Sequence, residues 1–162
     1  MKELIELKHI TLKNASKEYI NWLKDEKTIR YTQQNFSWPT KKKLDRFIKE
    51  SKKSKEIKFY GIFLDSKHVG NIRVGPIIKN HKTAYIGYLV SKENWGKGIA
   101  TLAINKACEI AFKKLGIKKI NAATMELNIS SQKALVNNKF KKEGLLKKQC
   151  IYKNKRFDEY YY

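Results

Sequence analysis

The sequence has few of the residues that build disulfide frameworks, metal centres and linkers. Its 162 residues include two cysteines, three histidines and two prolines, with no CxxC pair and no Cys/His cluster. The isolated cysteines predict reduced thiols, and His68 and His81 lack a ligand spacing, which indicates no metal dependence. No stretch rich in Gly, Ser or Pro divides the chain, so we predict one domain over residues 1–162.

Long hydrophobic runs are also missing. No apolar run reaches the roughly 18 residues that a membrane helix requires, and the first residues, MKEL, have no hydrophobic segment of the signal-peptide kind. Apolar residues make up 41% and aromatic residues 12% of the chain, which is typical of a folded protein with a core rather than of a disordered one. The sequence therefore predicts a cytoplasmic globular protein.

Acidic residues are scarce, since 15 Asp and Glu face 36 Lys and Arg, for a net charge of +21. Such a field attracts nucleic acid, acidic membranes or phosphate-rich small molecules. Only four of the basic residues are arginine, the side chain that contacts bases and phosphates best, which weakens the case for sequence-specific nucleic-acid binding. Lys, Ile and Asn have AT-rich codons, so genome composition is an alternative explanation for the lysines.

Hydrophobic periodicity predicts a mixed sheet with helices on its faces, an α/β (α+β) fold. Ser16 is placed to cap the first helix, and Gly116 is placed to end the longest one. The predicted helices are 17–25, 40–53, 98–115 and 130–138. The predicted strands are 4–12, 57–64, 67–78, 83–91, 119–125, 140–146 and 150–160.

The segment from Tyr85 to Thr101 carries the strongest chemical indication. A nearly uncharged strand leads into a loop that contains Gly96 and Gly98, and the loop opens the longest predicted helix. The first N–H groups of a helix lack backbone partners, and the helix dipole favours negative charge there, so we predict a phosphate site with Lys97 beside it. The loop contains neither GxxxxGK[ST] nor GxGxxG, which removes the triphosphate and dinucleotide interpretations. The alternative is a glycine turn that only caps the helix.

The residues Trp95-Gly96-Lys97-Gly98-Ile99-Ala100 resemble the [QR]-x-x-G-x-[GA] motif of the GNAT acetyltransferase superfamily, with Trp in the Gln/Arg position. A second motif of that family, N-x-x-S followed by a helix and a Gly-Phe pair, is similar to Asn128, Ser131 and Phe140, with Lys139 in the glycine position. The predicted element order also resembles this fold over residues 1–160. The resemblance implies about six to seven strands and four helices, and acetyl transfer from acetyl-CoA to an amine, with acetyl-CoA as co-substrate.

Further segments resemble the branch that acetylates amino sugars on nucleotide carriers in surface polysaccharide synthesis. These are Tyr19-x-x-Trp22-Leu23-x-Asp25, the strand at residues 68–77 with His81 after it, and residues 140–144. The run WGKGIATLA also resembles the ribosomal-protein N-terminal acetyltransferases. Against that second branch, Ala123 occupies a position where those enzymes often have Glu, and Leu135 a position where many relatives have Tyr.

By this resemblance, the backbone of Leu89 and Val90 should hold the acetyl and pantetheine groups. Asn128 should contact the pantetheine arm, and Ser131 or Lys133 the nucleotide end. The pyrophosphate should lie on the glycine loop and the first helical turn, formed by Trp95, Gly96, Lys97, Gly98, Ile99, Ala100 and Thr101.

These motifs do not identify the residues that take the proton from the amine or give one to the thiolate. The candidate bases are His81, Glu126, Tyr85 and Tyr88, because a group that titrates near neutral pH or lies beside the strand edge can take a proton from the amine. An exposed turn histidine and a solvated carboxylate are the alternatives for the first two. The acceptor site is expected to comprise Tyr31, Phe36, Trp38, Asn71, Arg73 and Tyr85.

Three functions fit these features of the sequence. The first is an N-acetyltransferase acting on a nucleotide-linked amino sugar, and the second is a protein N-terminal or small-amine acetyltransferase. The third is a basic nucleic-acid-binding module on a degenerate acetyltransferase fold, which rests on the charge alone. The terminal Tyr160, Tyr161 and Tyr162 are interpreted as a strand end or as a homodimer contact.

Overall fold

A computed structural model describes residues 5–32 and 39–162. Four antiparallel strands and one short parallel strand form the first sheet, in the order β1-β2-β3-β4-β5. The second sheet has three antiparallel strands in the order β6-β8-β7. The strands are β1 Ile5–His9, β2 Lys58–Leu64, β3 Lys67–Ile78, β4 Thr83–Val90, β5 Lys119–Asn121, β6 Ala123–Met125, β7 Gly144–Tyr152 and β8 Lys155–Tyr161.

Helices cover both faces of the first sheet. On one face α4 and α5 pack on a core cluster that includes Ile62, Ile72 and Ile86. On the other face α1 and α3 enclose a smaller cluster. Alternate strand residues belong to different clusters, as the period of two requires. The helices are α1 Lys17–Lys24, α2 Glu26–Ile29, α3 Lys41–Lys53, α4 Ile99–Lys114 and α5 Ile129–Asn137.

The prediction of a single strand at residues 119–125 is wrong, because the segment forms two strands that belong to different sheets. Their separation leaves an edge of β4 open. Residues 119–121 pair in parallel with residues 83–85 of β4. At Ala122 the chain changes sheets, because its N–H donates to the Tyr162 carbonyl (3.0 Å) and its carbonyl accepts from the Tyr162 N–H (2.9 Å). Residues 123–125 then pair with β8. The second half of β4 and β6 therefore separate, and a cleft lies between them.

Three other predicted boundaries are corrected. β1 ends at His9, and a 3-10 turn at Leu12–Asn14 follows, closed by bonds between Thr11 and the Asn14 side chain. A short helix, α2 at Glu26–Ile29, lies between the predicted helices 17–25 and 40–53, where no helix was predicted. The C-terminal hairpin turns at Lys153 and Asn154, both at positive φ as its tight turn requires, and not at 147–149.

The residue in the glycine position of the Gly-Phe pair keeps the glycine geometry. Lys139 has φ 65°, its N–H donates to the Val136 carbonyl (2.9 Å), and the Phe140 N–H donates to the Leu135 carbonyl (3.1 Å). These two bonds form the Schellman arrangement that ends a helix with a left-handed residue. The predicted left-handed residue after α4, Gly116, is confirmed at φ 67°.

Over residues 5–32 and 39–162, no helix combines the length and the apolar character that crossing a membrane requires.

Candidate active site between strands β4 and β6

The open edge of β4 presents free backbone groups to the cleft. Residues 86–90 pair with β3 on one side and are separated from β6 on the other. The Ser91 N–H donates to the Val69 carbonyl of β3 (2.9 Å), and hydrogen-bonded and non-bonded pairs alternate along antiparallel strands. The peptide groups of Tyr88 and Val90 therefore face the cleft, and that of Leu89 faces β3.

The glycine loop after β4 is held by its own side chains. Ser91 is buried, the Asn94 amide donates to the Ser91 hydroxyl (2.8 Å), and Lys97 Nζ donates to Asn94 Oδ1 (3.0 Å). Trp95 Nε1 donates to the Val90 carbonyl (2.8 Å), which fixes the loop against the cleft edge. The loop conformation is thus set before any ligand binds.

Positions 96 and 98 require glycine because of the backbone angle and not because a side chain would clash with its neighbours. Their φ values are 76° and 74°, in the left-handed region that glycine adopts freely, and a Cβ at either position would meet nothing within 4 Å. Open space over two glycines at a loop surface is suited to the close approach of a ligand backbone or phosphate.

The N-terminus of α4 completes a phosphate-binding geometry. Gly98 is the N-cap and supplies no side-chain acceptor, and no acidic residue lies in the first turn. Ile99 is buried and anchors the turn in the core. The first N–H groups, including those of Ala100 and Thr101, therefore lack a capping side chain and can bind an anion. The structure brings residues 95–101 together as predicted.

The far wall of the cleft is the start of α5. Asn128 Oδ1 accepts from the Ser131 N–H (3.3 Å) and the Ser130 hydroxyl (3.1 Å), so its carbonyl oxygen caps the helix. Tyr88 Oη lies 2.7 Å from Ser131 Oγ, which joins β4 to α5 across the cleft. Burial raises the pKa of Tyr88 to about 12, partly offset by the bond to Ser131. Lys133 is exposed one turn further along.

The α1 side of β4 carries the predicted acceptor residues. The side chain of Arg73, on β3, lies over Gly87 of β4. A Cβ added at Gly87 would be 3.1 Å from Arg73 Nε. Tyr85 is half-buried on this face. Asn71 is buried under α1, and its Oδ1 is 2.9 Å from His68 Nε2. Asn71 therefore binds a core histidine, and Arg73 and Tyr85 face the site.

Aromatic and cationic side chains connect the glycine loop to the C-terminal hairpin. The Arg30 guanidinium lies 4.7 Å from the Tyr31 ring centre and 5.8 Å from that of Trp95. The rings of Tyr31 and Tyr152 are 5.6 Å apart in an edge contact. Tyr31 thus lies at the predicted acceptor side, whereas Phe36 and Trp38 lie outside the described residues.

The sequence analysis missed three residues of this surface, Cys150, Glu159 and Tyr161. Burial, followed by the charge of the nearby Glu159, raises the pKa of the Cys150 thiol to about 11. Burial, followed by the charges of Glu159 and Tyr85, raises the pKa of Tyr161. The alternation of β8 could have placed Glu159 and Tyr161 on one face, but only the fold shows which face meets Tyr85.

Two predicted bases do not reach the cleft. His81 is exposed in the 3-10 turn Lys79–His81, at the end of β4 that pairs with β5. It is about 20 Å along the strand from Tyr88, at roughly 3.3 Å per residue. Glu126 directly follows β6, and its Oε1 accepts from the Asp158 N–H of β8 (2.9 Å). Of the proposed bases, Tyr85 and Tyr88 alone lie beside the cleft.

No three His, Cys, Asp or Glu side chains in the described ranges are close enough to hold a metal ion.

Residues 5–141 match the model of the Acetyltransferase (GNAT) domain. The chain belongs to this family. The expected mixed-sheet fold is thereby confirmed, with eight strands and five helices in the described residues.

The chain is similar to several acetyltransferases. It is 33% identical over 111 residues to the probable N-acetyltransferase YjcK of Bacillus subtilis (strain 168), a match that covers 67% of this chain and 61% of that protein. The chain spans about half the length of the next two curated relatives, 48% and 52%.

Solved structures share the fold over nearly the whole chain. The microcin C7 self-immunity acetyltransferase MccE, in complex with acetyl-CoA and AMP, is 25% identical with a TM-score of 0.84, over 98% of this chain and 90% of that one. Spermidine N-acetyltransferase from Vibrio cholerae, with CoA and spermine, has a TM-score of 0.87 at 16% identity, over 97% of this chain and 92% of that one.

Proposed function

We propose that this protein transfers an acetyl group from acetyl-CoA to a primary amine. The observation that carries the proposal is the cleft between β4 and β6, which ends at the glycine loop and the uncapped N-terminus of α4. A strand edge binds an extended amide-containing chain, and a helix N-terminus binds phosphate. Acetyl-CoA carries both groups, and family membership supports the assignment.

The two coenzyme groups are assigned to separate residues. The N–H groups of residues 96–101 hold the pyrophosphate, and Lys97 adds positive charge beside it. The free peptide groups of Tyr88 and Val90 hold the pantetheine arm, except that the Val90 carbonyl is already bound to Trp95. Ser131 and Lys133, on α5, remain the proposed contacts of the nucleotide end, and Asn128 contributes by fixing the first turn of that helix.

Tyr88 is the proposed proton donor to the leaving thiolate. Its hydroxyl spans the cleft to Ser131, and its pKa of about 12 keeps it protonated at neutral pH. A protonated hydroxyl with a raised pKa is a donor rather than a base, so Tyr88 suits the acid role and not the base role.

The proposed acceptor is an amine carried by a nucleotide, and an amino sugar is the first candidate. Arg30 and Arg73 lie on the acceptor side, and the net charge of +21 attracts a polyanion and repels a polycation such as spermidine. MccE, the similar structure at 25% identity, holds AMP together with acetyl-CoA. The resemblance of residues 68–77 to sugar-nucleotide acetyltransferases supports the same class.

The test is release of free thiol from acetyl-CoA with a panel of acceptors. The panel contains UDP- and dTDP-linked 3-amino and 4-amino sugars, spermidine and a peptide with a free N-terminus. Turnover with a sugar nucleotide supports the full proposal. Turnover with only the peptide or only spermidine would support acetyl transfer but would assign a different class of acceptor. If calorimetry detects no binding of acetyl-CoA, the proposal of acetyl transfer is rejected. A salt-sensitive complex with RNA in place of coenzyme binding would favour the nucleic-acid module.

A further inference from the structure

We propose that Glu159 binds the ammonium group of the acceptor and removes its proton before acetyl transfer, an inference that rests on the proposed function. It assigns the base that the sequence left open.

The position of Glu159 follows from strand alternation. Tyr162 belongs to the core cluster under α4 and α5, and Tyr160 packs against it. Successive side chains of a strand point to opposite faces, so Glu159 and Tyr161 point to the other face. Tyr85 points to that face as well, because its neighbours along β4 belong to the same core cluster. The two strands are linked through the intervening chain, because Asn121 pairs with Tyr85 and the next residue, Ala122, is hydrogen-bonded to Tyr162. Tyr85 also contributes to the raised pKa of Tyr161.

Glu159 is a half-buried carboxylate without a cation. In the described part of the chain, the ion pairs of acidic side chains are Lys8–Glu6, Lys41–Asp45, Lys113–Glu109 and Lys119–Glu143, and none includes Glu159. Glu159 lies close enough to Cys150 for its charge to contribute to the raised pKa of that thiol. A half-buried carboxylate with no ion pair of its own to the described residues, on the face of β8 opposite the core, is available to an external cation.

The neighbouring carboxylates have other roles. Glu126 accepts from the Asp158 N–H (2.9 Å), and Asp158 accepts from the Lys148 N–H (2.8 Å). Both therefore secure backbone segments of the second sheet. Of the three, Glu159 is the one that shares a face of β8 with Tyr161, whose pKa its charge raises.

The chemistry balances with the groups present. Glu159 takes one proton from the acceptor ammonium, which frees the nitrogen lone pair. That pair forms the C–N bond to the thioester carbonyl carbon as the C–S bond breaks, and the nitrogen loses its second proton to solvent as the amide forms. The thiolate takes a proton from Tyr88. Glu159 returns its proton to solvent, and Tyr88 regains one from solvent. Removal of a general base costs about 10²- to 10⁴-fold in rate.

The test compares Glu159→Gln with a matched control, Glu143→Gln, which neutralises an exposed carboxylate beside the same hairpin. Both variants are assayed with acetyl-CoA and the sugar nucleotide of the panel that the wild type acetylates fastest, from pH 6 to 10. Calorimetry with acetyl-CoA confirms that each variant is folded. We expect kcat/KM of Glu159→Gln to fall at least about 100-fold at pH 7. The deficit should shrink as the amine loses its own proton at high pH, while coenzyme affinity stays unchanged.

Three outcomes would overturn the inference. Wild-type kcat/KM in Glu159→Gln, or a deficit that is equal at all pH values, removes the base role and leaves acetyl transfer intact. An equal loss in Glu143→Gln reduces the effect to net charge. If the wild type acetylates no amine of the panel, the proposed function fails, and the role of Glu159 fails with it.

Discussion

The hydroxyl of Tyr88 lies 2.7 Å from the hydroxyl of Ser131 and joins strand β4 to helix α5 across the cleft. The two residues are 43 positions apart in sequence. The bond ties the start of α5 to β4, while burial keeps Tyr88 protonated by raising its pKa to about 12.

Replacement of Tyr88 by Phe should lower kcat about 100-fold and leave acetyl-CoA affinity within a few-fold of wild type, because the lost hydroxyl acts as an acid and not as a coenzyme contact. Steady-state kinetics and calorimetry measure the two effects. Ser131→Ala keeps the phenol and removes its partner. An equal kcat loss in Ser131→Ala would show that the pair only positions α5. Tyr60→Phe, a buried tyrosine on β2, is the control for loss of a phenol elsewhere.

Replacement of Gly98 by Ala should weaken acetyl-CoA binding by at least tenfold, because the left-handed backbone at φ 74° is costly for alanine by about 1–2 kcal/mol. Gly116→Ala is a matched control, since Gly116 has φ 67° and open space for a Cβ at the other end of α4. Both variants should lose similar thermal stability, and only Gly98→Ala should lose coenzyme affinity in calorimetry. Equal affinity in the two variants would exclude the α4 N-terminus from the coenzyme site.

His68 should make the protein less stable in mild acid. Burial among Tyr19, Trp22 and Phe63 lowers the pKa of His68, against the opposing bond to Asn71. The unfolded chain then binds a proton that the folded chain refuses, so the stabilisation is complete above the unfolded pKa of about 6.5 and declines as pH falls below it. Urea unfolding at pH 8 to 5 measures this slope. It should flatten in His68→Gln and persist in His81→Gln, whose residue is exposed. A flatter slope in His81→Gln alone would contradict the assignment.

Lys139→Gly should raise the free energy of unfolding by about 0.5 kcal/mol. A left-handed conformation costs a non-glycine residue about 1–2 kcal/mol, and the greater freedom of glycine in the unfolded chain returns about 0.5–1 kcal/mol of that gain. Urea unfolding measures the change. Lys141→Gly, two residues later and outside the left-handed region, should destabilise the protein. A loss of stability in Lys139→Gly would mean that the lysine side chain contributes more than the backbone conformation costs.

Local features of the sequence predicted the glycine loop and the helix that it opens. Gly96 and Gly98 lie where a buried strand meets a long amphipathic helix, and this arrangement needs no distant partner. The helix cap at Ser16 and the left-handed Gly116 were predictable for the same reason, because each depends on hydrogen bonds or angles within a few residues. The surroundings of the candidate bases could not be predicted in this way, and His81 lies in an exposed turn at the opposite end of β4 from Tyr88.

The family, the order of most elements and the conformation of the glycine loop could be predicted from sequence, because these depend on residues that are neighbours along the chain. Tertiary structure alone decided where the sheet divides, because the break at Ala122 is made by hydrogen bonds to Tyr162, 40 residues later. It also decided which carboxylates are bound to backbone. Glu126, Asp158 and Glu159 are all acidic side chains near the same hairpin, but Glu126 and Asp158 accept backbone N–H groups, and strand alternation places Glu159 on the face of β8 that carries Tyr161.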